Sequence, residues 1–431
     1  MTALAATLPR EAVNAKLVAI LASSAIALGV FLSGFVIREP APYEIFMAGL
    51  IAVWALFGLR ISQGVTPLLA LLIVFNIGGM ISMTQMSNLA DTPLYLSVSL
   101  FLAFTAVFVA AVLEARPALY GVVFGAWTVS ALVTGAAGII GYFHALPGFE
   151  MFTKYERAAG VFQDPNVFGP FLALPGIWLL HRMLTGGMGA FVRAAPPFLI
   201  IMFALFLSFS RGAWGLFGVS AILLVATLFL TSNSGAFRLR IVMMTVVATF
   251  LLVVALMIAL QFDAIADLFS TRAQLVQDYD GARLGRFARY GIGFQMAMEH
   301  PFGIGPLVFG TLLGEDTHNI WLKALLDYGW LGFAAWLLMV VWTIAAGFRI
   351  LLRNRPWQPY LLCAWIVFIG HVALGTVIDT DHWRHFYLLI GLVWGAIALE
   401  RRHARNGSTI SREAAAAAYR LSAASAEMPR D

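Results

Sequence analysis

The sequence predicts an all-α, polytopic integral membrane protein of about twelve transmembrane helices, with one long outer loop that itself contains helices. Three observations predict it. Of 431 residues, 61% are hydrophobic and only 11% are charged, whereas a soluble domain carries roughly a quarter charged. Mean hydropathy is +0.86. Apolar runs of about 20 residues recur along the chain, the length at which a helix crosses a bilayer. A membrane β-barrel would alternate in segments of about ten residues instead.

The spans are read in order as roughly 17–37, 43–60, 65–86, 94–114, 118–143, 165–181, 195–210, 212–231, 241–261, 320–348, 358–378 and 384–400. The run after Lys16 is too long for the core of a signal peptide and lacks a cleavage site at its end, so it is kept as the first span. Arg60, Arg116, Arg182, Arg193, Arg238, Arg240, Arg349, Arg353, Arg355, Arg401, Arg402 and Arg405 then all fall on the side of Arg10 and Lys16. The positive-inside rule makes that side the cytoplasm and places both termini there. Residues 1–400 form the transmembrane domain, including an outer loop at 262–319, and residues 401–431 form a polar, Ala-rich cytoplasmic tail. The single cysteine, Cys363, lies in an apolar run and reads as a small packed thiol.

Basic residues on the outer side gather in and around two loops, 144–164 and 262–319. Orientation does not need them, so they point to chemistry. Arg283, Arg286 and Arg289 stand at i, i+3 and i+6, which puts three guanidiniums within about a third of a helix circumference. Such a helix either lies on an anionic lipid surface or holds a multiply charged phosphate, since guanidinium forks match phosphate oxygens. Arg211, in Ser210-Arg211-Gly212, stands between two apolar runs with hardly any loop. An arginine at membrane depth costs at least about 2.5–3.5 kcal/mol by insertion scales. It either snorkels to the interface or acts as a second clamp on the same anion.

In the loop before span six, Asp164-Pro165 reads as a turn and cap. Asn166 follows in the first turn of that helix and can bond a ligand or a facing helix. His318 stands where span ten begins, in Asp316-Thr317-His318-Asn319. Nearby positive charge would keep its imidazole neutral, as a general base requires. Lys323 and Asp327, four residues apart, read as a mutually neutralising pair. Asp278-Tyr279-Asp280, and Asp379-Thr380-Asp381-His382 with His385, resemble short metal-ligand patterns. Both are common in polar loops, where solvated carboxylates are the ordinary alternative. Asp379 and Asp381 could also pair with Arg384 or a clamp arginine.

In combination these pieces resemble the O-antigen ligase family, which is related to O-antigen polymerases and protein O-oligosaccharyltransferases. The matching residues are Arg157-x-x-Gly160-x-Phe-x-x-Pro165-Asn166, Ser210-Arg211-Gly212, Arg286-x-x-x-Tyr290, His300-Pro301-Phe302-Gly303-x-Gly305, and His318-Asn319-x-x-Leu322 followed by Gly329-x-x-Gly332. Tyr290 stands where a tryptophan is common, and the His300-Pro301 motif is one residue shorter than the frequent pattern. Arg286 matches the family arginine, and Arg283 and Arg289 are additional.

The resemblance implies a GT-C-like glycosyltransferase of the bacterial inner membrane, with its active site facing the periplasm. The donor would be a glycan on undecaprenyl diphosphate and the acceptor a sugar hydroxyl of lipid A–core oligosaccharide. Transfer would be inverting and metal-independent, with no cofactor. His318 would be the general base, and Arg211 and Arg286 would hold the diphosphate. Arg157, Asn166, Arg283, Arg289, Tyr290 and Asn319 would bind substrate. Membrane lipids are the expected surroundings, and nothing suggests nucleic acid. The same residues leave room for a polymerase that extends a second lipid-linked glycan. A protein O-oligosaccharyltransferase would usually carry a longer soluble C-terminal region. A lipid-linked sugar transporter would show charged or broken helices along a midplane path, and no internal repeat of that kind is visible.

Overall fold

The computed structural model describes residues 10–58, 60–89, 91–263, 266, 269, 270 and 285–426. The helices in chain order are α1 (Arg10–Leu32), α2 (Pro42–Leu56), α3 (Thr66–Met83), α4 (Thr92–Ala115), α5 (Leu119–Tyr142), α6 (Pro165–Phe171), α7 (Ala173–Thr185) and α8 (Met188–Leu207). They continue with α9 (Arg211–Thr231), α10 (Gly235–Ala259), α11 (Arg286–Glu299), α12 (Val308–Leu313), α13 (Ile320–Ile350), α14 (Gln358–Leu374) and α15 (Arg384–Ala426). A two-stranded hairpin, β1 (Thr153–Lys154) with β2 (Arg157–Ala158), is the one sheet among the described residues.

Every expected span falls on a helix. Among the described residues nine helices are long and apolar enough to cross a membrane. The expected spans at 43–60 and 358–378 appear as shorter apolar helices, and 384–400 is the buried first part of α15. The first span stops at Leu32 rather than near 37. Beyond it the Val36 amide donates to Val161 O at 2.7 Å, so this segment turns to support the 144–164 loop. The tail continues α15 without a break to Ala426.

Helix starts follow local chemistry. Proline occupies the first turn of α2, α3, α4, α6 and α14, where its missing N–H is not needed. Asp164, Ser210, Ser234 and Asn319 cap α6, α9, α10 and α13 through their side chains.

The bundle centre is α4 with the first part of α15, whose residues 386–390 are at most 1% exposed. Lipid tails are as apolar as leucine, so helices associate through close packing rather than hydrophobicity. Glycine permits it. A Cβ at Gly391 would lie 2.9 Å from Ala106 O on α4, and one at Gly78 on α3 would lie 2.4 Å from Tyr328 O on α13. Tyr120 donates to Leu392 O at 2.7 Å and Trp394 to Thr343 Oγ1 at 2.8 Å, satisfying buried polar groups across helices.

Polar side chains collect at the two ends of the bundle. One end carries Ser62, Glu114, Arg353, Arg355 and Glu400. The other carries the loops that contain His318, Arg211 and Arg157, which the arginine distribution expects to face outward.

Candidate functional site

The start of α13 is built around His318. Asn319 caps the helix, its Oδ1 accepting from Trp321 N at 3.0 Å and Leu322 N at 3.2 Å. That leaves His318 as the residue just before the cap, at φ +50°. A side chain in this left-handed region is strained and needs surrounding structure to hold it. The surroundings supply it. The Tyr290 hydroxyl donates to His318 O at 3.1 Å and faces Thr376 O at 3.2 Å. Asn319 N donates to Asp379 Oδ1 at 2.9 Å, and Ile320 N donates to Gly375 O at 2.8 Å. The imidazole Nδ1 lies 3.7 Å from Asp379 Oδ2, with the His318 side chain 37% exposed and that of Asp379 18% exposed. The histidine is thus pinned through its backbone, backed by a carboxylate, and partly exposed.

Behind this pair lies a buried charge cluster. Lys323 pairs with Asp316 and, at 2.8 Å, with Asp327, so the expected Lys323–Asp327 pair is present and has a third member. Asp381 accepts from the Tyr95 hydroxyl at 2.6 Å and contacts His382 Nδ1 at 2.9 Å. Burial pushes Asp379 up to about 7; Lys323 opposes this, while Asp316, Asp381 and Asp327 add to it. Burial also works against ionised Asp381, but His382, Lys323 and the Tyr95 hydroxyl outweigh it and hold the carboxyl well below the usual range. The two loop carboxylates are therefore not solvated groups. Nor does Arg384 pair with them: it bonds Glu44 and, at 3.1 Å, Glu39. His385 is buried among aromatic rings rather than beside Asp379. Among the described residues no three His, Cys, Asp or Glu side chains converge as a metal-ligand set.

The second part of the site is the junction of α8 and α9. Ser208, Phe209 and Ser210 turn the chain in three residues, with Phe209 at φ +43°. Arg157 is 4% exposed and fastens this turn, its Nε donating to Ser208 O at 2.7 Å and its Nη2 to Asn166 Oδ1 at 2.8 Å. Asp164 caps α6 as expected, accepting from Asn166 N at 2.6 Å. Arg157 and Asn166 therefore bond each other and brace the turn that presents Arg211, which is half-buried at the first position of α9.

The two parts meet at the turn after α14. A Cβ at Gly212 would lie 2.6 Å from Leu374 Cδ1. The next two residues, Gly375 and Thr376, receive the bonds from Ile320 N and Tyr290 described above. Arg211, Tyr290 and His318 are thus gathered at one end through a single turn.

Helix α11 lies over this assembly. Arg289 turns inward, is 5% exposed, and pairs with Glu315 at 2.6 Å. The face that α11 exposes carries Phe294 and Met298 instead. Arg283, the side chain of Arg286 and the Asp278-Tyr279-Asp280 triplet lie outside the described residues. The motif from His300 to Gly305 is a structural clip. Helix α13 breaks at Gly329 (φ +64°), Ile304 N donates to the freed Leu326 O at 2.8 Å, and Trp330 N donates to Pro301 O at 2.9 Å.

Sequence reasoning named His318, Arg211 and Tyr290 but missed the pairing of Asp379 with His318 and the Tyr95–Asp381–His382 contact. The available signal was that residues 379–382 lie between two apolar runs on the same side as His318. Residues 196–337 match the family model described as O-antigen ligase, a stretch that holds Arg211, Arg286, Tyr290, His318 and Asn319. No curated protein matches the chain.

Proposed function

We propose that this member of the O-antigen ligase family transfers a glycan from undecaprenyl diphosphate to a sugar hydroxyl of lipid A–core oligosaccharide. The reaction would run at the periplasmic end of the bundle, in the bacterial inner membrane, with both termini in the cytoplasm. The observation that supports the reading best is His318: a half-buried imidazole held at a helix start, backed by Asp379, on the end of the bundle where Arg211 lies.

The acceptor hydroxyl gives its proton to His318 Nε2 as its oxygen attacks the anomeric carbon. The bond from that carbon to the diphosphate breaks, and its electron pair leaves with the polyprenyl diphosphate. With Nδ1 protonated and turned to Asp379, the imidazolium that forms is stabilised by the carboxylate. Arg211 and Arg286 hold the leaving diphosphate and offset the charge it develops. A single displacement inverts the anomeric centre.

Reconstitution in proteoliposomes tests the reading. The protein receives a lipid-linked glycan plus either lipid A–core or a second lipid-linked glycan. Consumption of lipid A–core is the expected result. Consumption of the second lipid-linked glycan alone would make the protein a polymerase, and consumption of neither would overturn the transferase reading.

A further inference from the structure

Lys323 stands one turn inside α13, on an otherwise apolar stretch of helix. Its side chain is 4% exposed, and a cation buried in this way is costly unless its partners are fixed. Several elements supply them. Asp316, in the loop before α13, bonds the ammonium through Oδ2 and accepts from Thr317 N through Oδ1 at 2.8 Å. Asp327, one turn further along α13, lies at 2.8 Å. The Tyr95 ring of α4 is 5.5 Å away, and its hydroxyl donates to Asp381. The turn before α15 brings Asp379, Asp381 and His382. Tyr328 of α13 and Tyr387 of α15 lie near Asp381, α11 adds the Arg289–Glu315 pair one residue before Asp316, and α3 brings no ionisable side chain. The same loop carries His318. Thr317 Oγ1 lies 3.3 Å from Asp379 Oδ1, Asn319 N donates to that oxygen at 2.9 Å, and Lys323 N donates to Asn319 O at 2.8 Å. Lys323 is therefore joined to both flanks of His318, by its ammonium through Asp316 and by its amide through Asn319.

We propose that Lys323 is a positioning residue for the transfer: its ammonium holds Asp379 in the charged form that faces His318, and its bond to Asp316 ties the base-bearing turn to α13. The proposal rests on the transferase reading above. Burial works against an ionised Asp379, and Asp316, Asp381 and Asp327 add to that effect, while Lys323 opposes them. Without the ammonium Asp379 takes up a proton and presents a neutral group to His318. A neutral partner no longer stabilises the imidazolium that forms when the acceptor hydroxyl gives up its proton. Lys323 thus acts on the reaction through Asp379 and touches neither sugar nor diphosphate.

The full-length protein in detergent is titrated by infrared difference spectroscopy, with the band of the protonated Asp379 carboxyl assigned by its loss in Asp379→Asn. In the parent the band should disappear with a midpoint of about 7. Lys323→Gln should raise that midpoint by about 1–3 pH units, the range for removing an opposite charge near a carboxylate. Lys323→Gln with Asp327→Asn removes both members of the helical pair, so neither is buried alone, and should move the midpoint in the same direction. Lys323→Arg keeps the charge and should keep the parent midpoint. In the proteoliposome assay Lys323→Gln should lower kcat roughly fivefold or more at pH 7, with KM little changed, and should approach the parent as pH rises. A midpoint unmoved in both neutral variants, or a loss of transfer that is equal at every pH, would overturn the proposal. If the parent consumes neither acceptor, the transferase reading fails instead. The infrared midpoint needs no substrate and still decides whether Lys323 holds the charge of Asp379.

Discussion

Replacing Asp379 with asparagine separates its charge from its shape. The amide keeps an oxygen to accept from Asn319 N, now 2.9 Å from Oδ1, and removes the negative charge 3.7 Å from His318 Nδ1. Two unit charges at that distance attract by about 4.5 kcal/mol at an effective dielectric of about 20. Both side chains are partly open to water, so screening reduces the effect to about 2 kcal/mol. The expected outcome is a kcat about 30-fold lower, with little change in KM, in the reconstituted transfer assay. The pH dependence sharpens the test. Burial raises Asp379 to about 7, so the parent protein loses the same charge as pH falls below that value, and the ratio of parent to variant rates should shrink toward acid. Stability should move the other way. A carboxyl whose folded pKa lies above its unfolded value stabilises the fold below its ordinary pKa and loses that contribution as pH rises through about 7. Asp379→Asn mimics the protonated form, so at pH 8 it should unfold at a temperature no lower than the parent. A parent-like kcat would remove Asp379 from catalysis. A lowered unfolding temperature at pH 8 would reduce it to a structural residue.

Other substitutions test the remaining parts. His318→Ala should lower transfer by about 10²–10⁴-fold, the range for a general base, while binding of the lipid diphosphate, measured separately, changes little. Tyr290→Phe removes the hydroxyl that bonds His318 O and faces Thr376 O. It should cost about 1 kcal/mol of stability and lower kcat several-fold at constant KM. Arg211→Gln should weaken lipid-diphosphate binding more than about tenfold, the loss of one charged hydrogen bond or more. Arg289→Met should change it far less, because Arg289 is committed to Glu315. Gly329→Ala should destabilise the protein by about 1–3 kcal/mol in thermal unfolding, since the residue has φ +64° and its Cβ would meet the Phe302 carbonyl at 2.8 Å.

The membrane fold was legible because it depends on composition and run length, and both are written along the chain. Asp164, Lys323 and Asp327 were legible for a related reason: their partners lie within four residues. Arg289 was not. Its spacing from Arg286 describes a helix face, but which way that face turns depends on Glu315 and on what α11 covers. Asp379 was not legible either. Sixty-one residues separate it from His318, and α13 and α14 must pack before the two meet. Arg157 and Asn166 illustrate an intermediate case. Their residue types suggested ligand binding, and the structure joins them to each other and Arg157 to the Ser208 carbonyl, so they also brace the turn that presents Arg211.

In the proposed site, the turn after α14 holds the two halves at a fixed separation. Leu374 fills the space that a side chain at Gly212 would need, which sets the distance of closest approach of α9. Gly375 O takes the first amide of α13, and Thr376 O faces the Tyr290 hydroxyl that also holds His318 O. Three of these contacts end on backbone carbonyls, so no side-chain pattern in the sequence records them. Their effect is nevertheless chemical. A base and an anion clamp that belong to different helices accelerate transfer only if both reach the reacting bond together, and misplacement by about 1 Å can cost on the order of 10²-fold. A bulky residue at Gly212 should therefore lower the proposed transfer through geometry, by displacing Leu374 and with it the turn whose carbonyls accept from Ile320 N and face the Tyr290 hydroxyl, although it removes no charged or proton-transferring group.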